Sequence, residues 1–171
     1  MEMVIRVLVL ELIPLTASLF VALRCTIPNG AALAEMRRAG QFEALRSRGG
    51  EPVVHEVLPR VLAGVFSSIT LAALSCVVAL VLAYLAVYGL SAAGLPAYTH
   101  MFGHVFNPAV TLIFVLKTFF FSLAVSIIPM ASALYDVEGD GSRESAALQG
   151  LVRMFAVLLL MEMASLAGNY Y

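Results

Sequence analysis

Hydrophobic residues run along this chain in four long blocks, with the charges gathered between them. The first block extends from Met3 to about Leu23, and the second from Val61 to Leu90 without a charged residue. The third runs from Ala109 to about Tyr135, broken by Lys117. The fourth runs from about Met154, or from nearer Ala146, to Gly168, with Glu162 inside it. A bilayer core takes about 20 apolar residues of helix. The pattern predicts an all-α, polytopic integral membrane protein of about four transmembrane helices, forming a single membrane-embedded domain over residues 1–171. No internal repeat or low-complexity tail is visible.

One polar stretch stands apart. "RRAGQFEALRSRGGEP", residues 37–52, places Arg37, Arg38, Arg46 and Arg48 close together. Gln41 to Arg46 are good helix formers, and Phe42 and Leu45 lie three apart on one helical face. Gly49 and Gly50 can end such a helix, and Pro52 prevents its return. Two readings stay open at this level: a solvated loop whose arginines touch lipid headgroups, and a docking helix that offers an apolar ridge and charges to a cytoplasmic partner.

Composition supports the membrane reading. Hydrophobic residues make up 61% of the chain and charged residues 12%, and the mean hydropathy is +0.96. Soluble domains carry about 25% charged residues. The net charge of −1 gives no reason to expect nucleic acid as a partner. Tryptophan is absent, so an interfacial aromatic belt must use Tyr and Phe. Cys25 and Cys76 do not amount to a disulfide framework. A cleavable leader is not indicated: Glu2 spoils the basic start, Glu11 and Pro14 interrupt the apolar run, and Arg24 precedes Cys25.

Five of the ten basic residues lie between Arg37 and Arg60, whereas 91–108 has none. The positive-inside rule puts the coupling region 37–60 in the cytoplasm and the connection 91–108 outside. By alternation the acidic turn 136–145 is cytoplasmic and both termini lie outside. An outside N-terminus implies that a further helix normally precedes Met1.

Charges inside apolar helices are expensive and usually face a cavity or a partner. Glu11 either faces a cavity or sits at the outer interface. Lys117 either snorkels to the surface or meets a lipid phosphate. The two lie at similar depth, so they could also pair with each other. Pro14 and Pro129 are expected to kink their helices, and kinked helices often line cavities. Glu162 has no partner nameable from sequence. The small residues of "GVFSS" and "LAALSC" allow close helix packing. His100 and His104 share a helical face but lack further ligands, so no metal site is expected. Ser75 and Ser126 have no histidine at corresponding depth, the intramembrane acids are Glu11 and Glu162, and no phosphate-binding G-x-x-x-x-G-K-[ST] occurs, so no catalytic residue is assigned.

"ELIPLTASLFVALR" at 11–24, "MRRAGQFEAL" at 36–45 and "GGEPVVHEVLPRVLAG" at 49–64 follow one another at tight spacing. Together they resemble the MlaE/YrbE family, the permease subunits of MCE-associated phospholipid ABC transporters. The family positions fall on Glu11, Pro14, Arg24, Met36, Arg37, Gln41, Ala44, Leu45, Pro52, Pro59, Arg60, Ala63 and Gly64. More weakly, "LKTFFFSLAVSIIPMASALYD" is similar to the family's lysine-bearing penultimate helix. The chain departs from the pattern at Leu10, Ile13, Ala32 and the pair Ala39-Gly40. It also lacks the family's N-terminal interfacial helix and first membrane helix, as a short or truncated form would.

The resemblance implies a permease in a bacterial inner membrane, paired with a second copy or a paralogue. A cytoplasmic ABC ATPase would dock through Arg37, Arg38, Gln41, Phe42, Leu45 and Arg46, and a periplasmic MCE-domain protein would sit above. Glu11, Pro14, Arg24 and Lys117 would line the path of a membrane lipid. The chain itself would bind no cofactor, ATP being held by the partner. The alternative is a structural or regulatory membrane subunit without its own lipid path. Co-purification would separate the two, since a transporter subunit brings an ATPase with it.

Overall fold

Proline decides the local geometry of the first half of the molecule. A helical proline has no N–H for the carbonyl four residues back, and its ring presses on that carbonyl. The computed structural model describes residues 7–135 and 143–170. In it, helix α1 (Leu8–Arg38) meets this problem twice, and helix α3 (Val53–Tyr88) once. Each time a π-helical turn ends two residues before the ring: Leu8–Leu12 before Pro14, Ala22–Thr26 before Pro28, and Val53–Val57 before Pro59. The wider turn makes room for the ring, and the helix continues.

This corrects the expected end of the first block. The helix does not stop near Leu23 but runs to Arg38, 31 residues in all. At about 1.5 Å per residue it is roughly 46 Å long, well beyond a 30 Å hydrocarbon core. Its last turns therefore stand clear of the apolar layer and carry Arg37 and Arg38, both exposed. At Pro14 the expected kink is taken up by the π turn. Pro129 lies inside a regular helix.

Gly40, at φ 72°, turns the chain into the short helix α2 (Gln41–Ser47). Gly49, at φ 82°, closes it. Helix α3 begins at Val53 rather than at Val61 and ends at Tyr88. The connection beyond it contains helix α4 (Leu95–Val105), held by a tyrosine cluster. Tyr84 and Tyr98 meet edge to face at 5.1 Å, Tyr84 stacks on Tyr88 at 5.5 Å, and the Tyr98 hydroxyl donates to the Leu80 carbonyl at 2.8 Å. Helices α5 (Pro108–Tyr135) and α6 (Arg143–Tyr170) complete the bundle. The apolar part of α6, Leu148–Gly168, starts earlier than the expected Met154. Residues 1–6 and most of the acidic turn at 136–145 lie outside the described residues.

Helix α5 is the centre: α1, α3 and α6 all pack on it. Close approach is made by small residues. The buried side of α3 is Gly64, Ser68, Ala72 and Cys76, each one turn from the next. A Cβ on Gly64 would stand 2.6 Å from the Ser126 hydroxyl of α5, and one on Gly30 of α1 would stand 2.9 Å from the Pro129 carbonyl. Three apolar clusters stack between the helices. Val9, Ile13 and Cys76 fill one end, Ala22, Phe121, Val125, Met154 and Leu158 the middle, and Leu33, Ala34, Val57, Met130 and Ala133 the end beside α2.

The outside of the bundle is oily. Phe66 is 73% exposed and Leu160 69%. An apolar surface this continuous suits hydrocarbon and not water. The chain is an all-α, multi-pass integral membrane protein, with four helices long and apolar enough to cross a bilayer.

Candidate functional site

Two polar features interrupt this bundle, one at each end. The first is a charged triad in the half that carries α4. The π turn Leu8–Leu12 holds Glu11, which is 7% exposed, on the inner side of α1. Lys117 comes from α5 and is equally buried. Glu162 comes from α6, four residues beyond the buried Leu158, on the stripe that also contains Met154. The Lys117 ammonium donates to Glu11 Oε2. It also donates to Glu162 Oε1 at 3.1 Å and stands 3.0 Å from Glu162 Oε2. The Phe121 ring lies one turn further along α5, with its centroid 5.6 Å from the ammonium.

Of the three readings of Lys117 open from sequence, the structure bears on two. The lysine does not snorkel, and it pairs with Glu11. Glu162, for which the sequence offered no partner, is the third member. No local signal could have found it, because its position depends on how α6 is rotated against α5. Three helices meet at these charges, so the triad ties α1, α5 and α6 together where the apolar contacts alone carry no directional information.

Pro14 is buried beside the triad. Arg24 is not part of it. This residue lies in the second π turn of α1 and is exposed, on a stripe with Leu12, Thr16, Phe20 and Leu23. From Glu11 to Arg24 the helix rises by roughly 20 Å.

The second feature is α2, at the opposite end. Its apolar ridge faces inward. Phe42 packs on the cluster of Leu33, Ala34, Val57, Met130 and Ala133, and Leu45 lies over Gly50. The expectation had Phe42 and Leu45 filling a groove on a partner. In this structure Phe42 packs in part on the bundle, because the turn at Gly40 folds α2 back over the ends of α1 and α5, while Phe42 and Leu45 also border the clefts beside the helix. Gln41, Glu43, Ala44, Arg46, Ser47 and Arg48 make the exposed face. Clefts flank the helix, one bordered by Met36, Leu45, Arg48 and Glu56 and the other by Arg37, Arg46, Val53 and Leu134. Arg60 braces the start of α3 through a 2.8 Å ion pair to Glu56 and a contact to the Met36 sulfur. Among the described residues there is no group of three or more His, Cys, Asp or Glu side chains placed to hold a metal ion. The His104 side chain lies outside the described residues.

Comparison with known proteins matches residues 1–167 of this chain to the family described as Permease MlaE. No curated protein matches. No solved structure matches.

Proposed function

Because the chain belongs to the MlaE permease family, and is therefore the membrane subunit of a transporter, we propose that it moves phospholipid between a bacterial inner membrane and the periplasm or outer membrane, powered by a separate ABC ATPase. The observation that carries this reading is the pairing of two features in one bundle: a buried, charged triad inside the membrane helices and an exposed charged helix at the far end.

Orientation follows the arginines. The end with α2 is cytoplasmic, and the end with α4 and the triad faces the periplasm, where an MCE-domain protein sits. A second permease copy or a paralogue completes the assembly. The ATPase engages the exposed face of α2, where Gln41, Arg46 and Arg48 offer donors and positive charge, with Arg37 and Arg38 at its rim. Phe42 and Leu45 transmit the movement, because any shift of α2 moves Phe42 against Leu33 of α1 and Met130 of α5.

Lipid enters between helices. The acids in the outer and central parts of the long helices are Glu11 and Glu162, and both are held by Lys117. Arg24, exposed on α1, is the cation that this reading assigns to the lipid phosphate. Lys117 is the second cation on the path, reached when the triad opens.

The test is reconstitution. Vesicles holding the chain with its ATPase should exchange fluorescent phospholipid in the presence of ATP. Lys117→Met should abolish that exchange while leaving co-purification of the ATPase intact. Full exchange by this variant would remove Lys117 from the path. Assembly without an ATPase would favour the structural-subunit reading.

A further inference from the structure

The triad holds more carboxylate than ammonium. Glu11 and Glu162 bring two carboxyl groups to one Lys117, at a site where all three side chains are about nine-tenths buried. Glu162 Oε2 is fully buried and stands 3.0 Å from the lysine nitrogen, so its partner is the Lys117 ammonium. A buried carboxylate oxygen in that position needs another donor if Lys117 leaves it.

Consider what happens when a headgroup reaches Lys117. Its phosphate can take the ammonium only by displacing a carboxylate. An anionic headgroup would leave that carboxylate stranded in a medium of low dielectric, which is strongly unfavourable. A headgroup carrying its own ammonium removes the problem. Its phosphate pairs with Lys117 while its amine pairs with the released carboxylate, so the ion pairs are exchanged and none is lost. The primary amine also supplies N–H donors, which replace those that Lys117 withdraws.

We propose that Glu162, with Glu11, makes this site selective for phospholipids with an amine-bearing zwitterionic headgroup over anionic ones. The inference rests on the reading that Lys117 meets the lipid phosphate, and it adds the substrate class. Glu162 is the better candidate for the amine, because its side chain is the less enclosed of the two, 12% exposed against 9% for Glu11.

The experiment uses the full chain in nanodiscs made from equal amounts of phosphatidylethanolamine and phosphatidylglycerol, with retained lipid counted by native mass spectrometry after transfer to detergent. One charge-assisted hydrogen bond corresponds to at least a decade in affinity, so the ethanolamine lipid should exceed the glycerol lipid by about tenfold. In Glu162→Gln the ratio should fall to within about twofold of unity, because neutralising one carboxylate leaves nothing to strand. Glu11→Gln should lower the ratio in the same direction and provides the test if the first variant does not insert. Glu162→Asp should keep the preference. Equal retention of both lipids by the unaltered chain, with both lost in Lys117→Met, would overturn the selectivity and leave the lipid path standing. Unchanged retention in Lys117→Met would overturn the path itself. Soluble glycerophosphoethanolamine should not displace the bound lipid; displacement would show that the site reads a free headgroup and not a membrane lipid.

Discussion

At the scale of residues, the triad sets what substitution can do. Removing one partner of a buried ion pair destabilises by roughly 3–5 kcal/mol, because the charge left behind keeps its desolvation penalty. Lys117→Met strands two carboxylates and should lower the melting temperature of the purified chain accordingly. Adding Glu11→Gln should restore only part of the loss, since Glu162 still lacks its cation. The triple change Lys117→Met, Glu11→Gln, Glu162→Gln should recover stability to within about 1 kcal/mol, as neutral replacements of buried ion clusters generally do. Melting curves that place the double and the triple variant together would show that Glu162 does not belong to the cluster. The sequence went part of the way here. Glu11 and Lys117 could be paired from depth alone, because depth is a count of residues along a helix. Glu162 could not be added, because its role depends on the rotation of α6, which is fixed by Met154 and Leu158 settling against Phe121 and Val125. Charge spacing along the chain does not encode that rotation.

At the scale of elements, small residues set the distance between helices and proline sets their course. Gly64 lets α3 approach α5 until Ser126 Oγ lies 2.6 Å from the place a Cβ would occupy. Gly64→Ala should therefore destabilise by about 1–3 kcal/mol, the usual effect of overfilling a packed interior. Combining it with Ser126→Ala should recover part of that loss. Recovery stays partial because Thr26 Cγ2, at 3.0 Å, and Ser126 Cβ, at 3.2 Å, still crowd the site. A denaturation series on the two singles and the double measures the coupling. Additive losses would mean that Gly64 and Ser126 do not meet. The four membrane helices and the small-residue stripe of α3 were readable from composition and spacing. The true length of α1 was not. Arg24 followed by "CTIPNG" reads as the end of a helix, and in water it would be. Inside this bundle Thr26, Gly30 and Ala31 are all buried against neighbouring helices. Continuing the helix keeps their backbone groups paired where no solvent can satisfy them. The π turn is the compromise that lets Pro28 stay in it.

At the scale of the whole molecule, the question is how the two polar ends communicate across the bilayer. Topology comes first. With Cys25 and Cys76 replaced, cysteines introduced at Ser47 and Ser142 should resist an impermeant thiol reagent in intact cells, and one at Thr99 should react. The reverse pattern would invert the orientation and with it the assignment of α2. The path between the ends is α1 and α5. Both helices contribute to the cluster under Phe42, and both contribute a charge to the triad. A movement of α2 delivered to Leu33 and Met130 therefore reaches helices that carry Glu11 and Lys117. On this argument the outer and inner faces of α2 have separable duties. Exchanging the charges of the outer face, with Glu43→Arg and Arg46→Glu together, should abolish co-purification of the ATPase without affecting membrane insertion. Phe42→Ala should do something different. The outer face is untouched, so the ATPase should still bind and hydrolyse ATP, but the ridge that presses on α1 and α5 is gone. Lipid exchange per ATP hydrolysed should fall by roughly tenfold, within the usual range of coupling energies. Loss of the ATPase in Phe42→Ala would assign the ridge to docking after all. Unchanged exchange would mean that the stroke enters the bundle elsewhere, with the Arg60–Glu56 brace at the start of α3 as the next place to look.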